Sequence, residues 1–290
     1  MTIAHREDSR QQEDAGGGQR IRKQIARVPF ERSSEALREL ERNGFHVTAR
    51  VVDLSYDAVL LAINDQAVLP GVNMGRLVLL IEVAAGLQSG RLSARELIDR
   101  SGMESEPSHG LWRSLQTPTL TLGDLAALLG ATNDEWAEQL LLRRVGLTAV
   151  RARAHRLGLP SAASIDLDSN QGSAREITAL LAALAHGSAA TVAVSRQVVH
   201  WLSLNSDLSL ASSAFGLDPH EHPHSQRGVF LVNATRNAPG VLSESAIVQG
   251  SSGIVAFSVS ACGDDRSLGV RLTVISALHT LGEDLLEYVY

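Results

Sequence analysis

Apolar and polar residues change their rhythm several times along this chain, and each change marks a structural boundary. Residues 1–28 are polar, charged and interrupted by glycine, which reads as a disordered tail. SSEALRELERN (33–43) then has helical spacing, with Ser33 or Ser34 as its expected N-cap and Gly44 just beyond its end. FHVTARVVDLS (45–55) sets Val47, Ala49 and Val51 against His46, Thr48 and Arg50, the period-two pattern of a strand. AVLLAIND (58–65) predicts a second strand, and Pro70-Gly71 breaks the chain. From Asn73 to about Gly187 the period is mostly helical. NMGRLVLLIEVAAGLQSG (73–90) predicts a buried helix and SARELIDRSG (93–102) a short one. TLGDLAALLGA, NDEWAEQLLLRRVG, LTAVRARAHRLGL, SAREITALLAALAHG and SRQVVHWLSL follow as further helices.

After that the strand rhythm returns in RGVFLVNATR, SESAIVQG and GIVAFSVSACGDD, separated by turns such as Pro239-Gly240. LGVRLTVISALHTLGEDLLEYVY (268–290) predicts a C-terminal helix. The fold class is therefore α/β, in the α+β sense. Both chain ends form one antiparallel sheet flanked by helices, and an all-helical insertion lies between them. The expected units are a tail over 1–28, a sheet subdomain over 29–68 and 205–290, and a helical subdomain over 69–204.

Composition narrows the chemistry. The 290 residues are 44% hydrophobic, 20% charged and 4% aromatic, with a net charge of -6. That length supports a real core. Of the 26 basic residues, all but Lys23 are arginine. A lysine base, a Schiff base or a P-loop lysine is excluded unless Lys23 supplies it. The mild acidity argues against a nucleic-acid surface, and Cys262 stands alone, so no intramolecular disulfide or cysteine-rich metal site can form. The N-terminus has no apolar signal region, and the most apolar run, Leu77 to Ala85, carries Glu82 and is too short for a bilayer. A soluble, cytoplasmic protein without membrane partners is expected.

Several segments resemble the class A β-lactamase and penicillin-binding-protein family of serine acyl-transfer enzymes. LPGVNMGRLVLLIEVAAGLQSGRLS (69–93) is similar to its nucleophile helix, and LTLGDLAALLGATNDEWAEQLLLRRVGLTAVRARAHRLG (120–158) to its central helices. SRQVVHWL (195–202) resembles a late helix, and RGVFLVNATRNAPG (227–240) the strand that walls the active site. The likeness spans roughly residues 32–290. That family works through S-x-x-K, S-D-N and K-T-G. In their places stand Asn73-Met74-Gly75-Arg76, Asn133-Asp134-Glu135 and Ala234-Thr235-Arg236. Only the aspartate and the threonine are kept by type. The loop that holds the family's deacylating glutamate falls near 159–174, is shorter, and offers only Asp166 and Asp168.

The resemblance thus implies a cleft without its covalent apparatus. Asn73 is no acyl-accepting nucleophile, and Arg76 stays protonated. Two readings remain open. In one, the protein is a repurposed enzyme that acts non-covalently on a small anionic molecule by cyclisation, isomerisation or elimination, with no cofactor or metal. In the other, it is an inactive binding or scaffold protein. For the first reading, Glu135, Asp134 and Asn73 are candidate catalytic residues, and Arg76, Asn133, Thr235, Arg236 and Trp112 candidate ligand contacts.

Each has a plainer role. Arg76 can pair internally with Asp134 or Glu135, those two acids can cap a helix, and Trp112, in the same entrance loop as His109, can simply pack. His220, His222 and His224 alternate in DPHEHPH. They fit a zinc site, a proton carrier over the cleft or a solvated loop. Ser251, Ser252 and Cys262 read as structural.

Overall fold

The computed structural model describes residues 29–70, 73–103, 109–159, 171–221, 229–238 and 240–290. The expected tail, Asp166, Asp168, His222 and His224 lie outside them.

Five strands form one antiparallel sheet in the order β2-β1-β7-β6-β5. They are β1 (His46–Asp53), β2 (Ala58–Ile63), β5 (Phe230–Ala238), β6 (Val241–Gln249) and β7 (Ile254–Cys262). Helices α1 (Glu31–Arg42) and α8 (Leu268–Val289) cover one face. The insertion supplies α2 (Met74–Gln88), α3 (Leu122–Thr132), α4 (Glu135–Val145), α5 (Leu147–Arg156), α6 (Ala174–Ala185) and α7 (Val192–Leu202), and it packs on the other. α2 is buried on every side from Met74 to Ala84, so it lacks a polar face and the other helices wrap it.

Two local expectations are corrected. SARELIDRSG is not a helix: Leu97–Asp99 forms β3, paired with β4 (Thr119–Thr121). The stretch is too short to nucleate a helix alone, and the partner strand takes up its backbone groups. Nor does Ser33 or Ser34 cap α1. Its N-cap is Phe30, in a left-handed conformation with no side-chain cap. The cap comes from another helix: the Asp284 carboxylate on α8 accepts the Ser33 N–H at 3.0 Å and the Ser33 hydroxyl at 2.5 Å. The other caps are local. Thr121, Asp134, Ser173, Thr191 and Ser267 each accept a first-turn N–H.

The sheet has two chemically distinct faces. Toward α1 and α8 it presents Val47, Ala49, Val51, Leu242, Ala246, Phe257 and Val259, an apolar core. Toward the insertion, successive cross-strand rows change character. Val232, Ile247, Ala256 and Val52 make one apolar row; Ala234, Ser245, Ser258 and Arg50 the next; Arg236, Ser243, Ser260 and Thr48 the last. This face is greasy at one end and lined with hydroxyls and guanidiniums at the other.

Candidate functional site

The polar end of that face meets the N-termini of α2 and α4. Asn73 precedes α2 in a left-handed conformation (φ 57°), is 1% exposed, and makes no cap hydrogen bond. One turn later, on the same side of the helix, comes Arg76. Its Nε donates to Glu138 Oε2 on α4 at 2.7 Å, and both side chains are buried. The internal partner is thus neither Asp134 nor Glu135 but Glu138, one helical turn beyond. Glu138 Oε1 and Asn73 Oδ1 are buried without hydrogen-bond partners among the described residues.

Burial pushes the Glu138 carboxyl above its ordinary range; Arg76 and, more weakly, Arg236 pull it back, and Glu135 pushes it further up. Arg236 sits across from these residues on β5, half-buried. Burial lowers its affinity for its proton, and the neighbouring Arg76 lowers it further, against Glu138 and Glu135. Arg76, Arg236, Glu135 and Glu138 therefore form one electrostatic cluster.

The remaining candidates divide. Asp134 is fully buried, and both its oxygens serve the backbone: Oδ1 accepts from Ala137 N–H at 3.0 Å and Oδ2 from Trp112 N–H at 2.7 Å. Trp112 is 0% exposed, so its expected ligand contact is corrected to packing. It meets Trp136 edge-on, lies under Arg100, and donates its indole N–H to the Thr117 carbonyl. Thr235 is corrected as well. Strand alternation turns its side chain away from Arg236, to the opposite face of the sheet. There its hydroxyl donates to the Asp207 carbonyl at 3.0 Å, next to Asn233, Asn205 and buried Glu244. Asn133 caps α3 and donates its amide to the Thr235 carbonyl at 2.9 Å, tying insertion to sheet at the rim. Glu135 opens α4, and its Oε2 lies 3.0 Å from His109 Nδ1.

His220 is exposed in a turn, its backbone N–H on Asp218. Among the described residues no three histidine, cysteine or acidic side chains are grouped to hold a metal. Two residues at the site were missed as functional from sequence. Glu138 had a usable signal, since it falls three residues after Glu135 on α4 and a buried Arg76 needs an acid. The pairing of His109 with Glu135 had none.

A family model described as a beta-lactamase enzyme family matches residues 31–289. The chain belongs to the beta-lactamase enzyme family. Its solved relatives share the architecture. A beta-lactamase from Sphaerobacter thermophilus DSM 20745 superposes with a TM-score of 0.75 at 18% identity, covering 89% of this chain and 97% of that one. PBP-A gives 0.73 at 12% identity, covering 88% and 94%. A beta lactamase from Xanthomonas campestris pv. campestris gives 0.72 at 14% identity, covering 89% and 97%. Identities this low speak for the fold alone. No curated relative matches the chain in sequence. Among the described residues no helix is long and apolar enough to cross a membrane.

Two cavities lie on the other side of this β-lactamase fold. One of about 1220 Å³ is bounded by α1, β2 and α8, and one of about 660 Å³ lies between α8 and the turn at Ala214. Arg32, which borders both, already serves Asp284, Glu287 and Glu283, whereas no hydrogen bond or ion pair holds Arg236 among the described residues.

Proposed function

We propose that this β-lactamase-fold protein binds a small anionic molecule non-covalently in the cleft between α2, α4 and β5, and forms no acyl-enzyme with β-lactams. One observation carries the reading: Arg236 is half-buried beside a second guanidinium, and among the described residues no hydrogen bond or ion pair holds it. A guanidinium has five donors in a fixed fork, and removing it from water without an acceptor is costly. A carboxylate or phosphate would supply that acceptor. The residues at the family's motif positions support the second half. Asn73 offers no nucleophile, and Arg76 is bonded to Glu138 rather than poised as a base. Acid–base turnover of the bound anion, in a cytoplasmic setting, belongs to the same reading.

A purely binding role is favoured by the Arg76–Glu138 pair, which spends an acid and a cation of the cleft on each other. Two measurements test the proposal. Intact-mass spectrometry after incubation with benzylpenicillin should show unmodified protein, and a stable acyl adduct would refute it. Calorimetry with malonate or inorganic phosphate should show saturable binding that Arg236→Ala abolishes.

A further inference from the structure

Helix α2 ends in a turn that sends the chain back along the helix. Gly90 takes φ +73°, a left-handed conformation that glycine adopts without strain, and the Leu92 N–H returns to the Gly86 carbonyl at 3.1 Å. Gly86 makes room for the returning chain, since a Cβ there would come within 2.5 Å of the Leu92 side chain. Arg91 is thereby brought back over α2, and its Nη2 donates to Glu82 Oε1 at 2.6 Å. From α5, which packs on α2, Arg153 and Arg156 stand one turn apart on a common side. Arg153 Nε donates to Glu82 Oε2 at 2.8 Å, and Arg156 Nη2 donates to the same oxygen at 3.5 Å.

One buried carboxylate thus holds three guanidiniums. Charge balance needs only one of them, and among the described residues no hydrogen bond or ion pair joins any of the three to another acid. Two positive charges are left over, in a chain whose net charge is -6. Like charges this close repel one another. The C-terminal carbonyls of α5 favour a cation at that helix end, which accounts for one arginine but not for three on one acid. Arg153 and Glu82 lie deep, whereas the Arg91 and Arg156 side chains are 54% and 56% exposed, so most of their donors are open to solvent. Both bond the same carboxylate, at 2.6 and 3.5 Å, so their Nη2 atoms lie within roughly 8 Å of each other.

We propose that Arg91, Arg153 and Arg156 form a second anion site, outside the cleft, that takes a diphosphate group. Two exposed forks at that spacing suit two linked phosphoryl groups, each bidentate to one guanidinium, with Arg153 adding charge from beneath. A single phosphate or carboxylate fills one fork and leaves the other cation unmatched. Glu82 stays behind the arginines as the acceptor that aims them. The site is independent of the cleft reading: Glu82 lies on α2 about 9 Å along the axis beyond Arg76.

The test uses the full-length protein with metal-free pyrophosphate as the probe, read by calorimetry and by the arginine Nε–H signals in ¹H–¹⁵N spectra. Pyrophosphate should bind saturably and move the Arg91, Arg153 and Arg156 signals, and inorganic phosphate should move them less. Arg91→Ala and Arg156→Ala each leave Glu82 two cations and should weaken binding about tenfold or more. Should either fail to fold, Arg156→Lys keeps the charge without the fork and should also weaken it. Arg236→Ala should leave the response of the three signals unchanged. ADP carries the same group: equal affinity assigns the site to diphosphate alone, and tighter binding to a nucleoside diphosphate. Signals that do not move, a response matched by chloride at equal ionic strength, or binding unaltered in the arginine variants overturns the second site and leaves the cleft proposal standing. Loss of all pyrophosphate binding in Arg236→Ala gives the anion to the cleft and overturns the second site as well.

Discussion

Glu138 and Glu244 are both buried, and burial pushes both carboxyls above their ordinary range. Their surroundings differ. Glu244, behind the sheet, meets neutral donors: the Asn233 amide at 2.9 Å and the Ser212 N–H at 3.0 Å. It knots β5 and β6 to the 3-10 turn at Ala211–Phe215. Glu138, in the cleft, meets Arg76, has Arg236 nearby, and keeps one oxygen without a partner among the described residues. Burial favours the protonated form of Glu244, and no cation faces it among the described residues. The second is a charge among charges, incompletely paired. A core tolerates the first arrangement as structure, whereas the second fits the anion-binding cleft proposed above.

That contrast can be broken by mutation, and the largest effect is expected in the cleft. Glu138→Ala strands Arg76 in the interior and should destabilise the protein by about 3–5 kcal/mol in urea unfolding, with an apolar replacement of both partners recovering much of it. A loss below about 1 kcal/mol would mean that the pair is solvent-screened. Glu244→Leu should cost less, about 1–3 kcal/mol, because the Asn233 amide and the Ser212 N–H lose neutral bonds only.

Next comes a pH effect. A carboxyl raised in the folded state lets that state hold its proton to higher pH than the unfolded chain does. The contribution is therefore full below the ordinary value of 4.5 and is lost as pH rises through the folded value. The melting temperature of Glu244→Gln should accordingly fall less than that of the wild type as pH rises from 4.5 toward neutrality. Parallel profiles would place Glu244 in water. The smallest loss of stability is expected from Arg236→Ala, at most about 0.5 kcal/mol and offset by relief of its burial, because among the described residues it has no hydrogen bond or ion pair to lose. A large loss would instead make Arg236 a structural residue and undo the ligand argument.

Much of this was legible along the chain. The two strand blocks, the helical insertion and the terminal helix follow from periodicity, and Thr121, Asp134 and Ser173 announce their helices locally. Failures came where the partner is distant. Ser33 looks like a cap from its neighbours, yet Asp284, far along the chain, does the capping. Leu97–Asp99 has a helix former's sequence, and only β4 makes it a strand. Thr235 sits in the family's motif position, but β5 turns it away from Arg236, which a lone motif cannot reveal.

The sequence by itself determined the order of the strand and helical blocks, though not β3 and β4, and the absence of any lysine outside residues 1–28. These are local or compositional properties, and no folding can restore a missing side chain. Tertiary structure decided the pairings: Glu138 rather than Asp134 or Glu135 for Arg76, Glu135 for His109, and, among the described residues, no partner for Arg236. A charge buried by folding takes whichever opposite charge the packing brings within reach. That choice is made by the crossing of α2, α4 and β5, whose residues lie far apart in the chain.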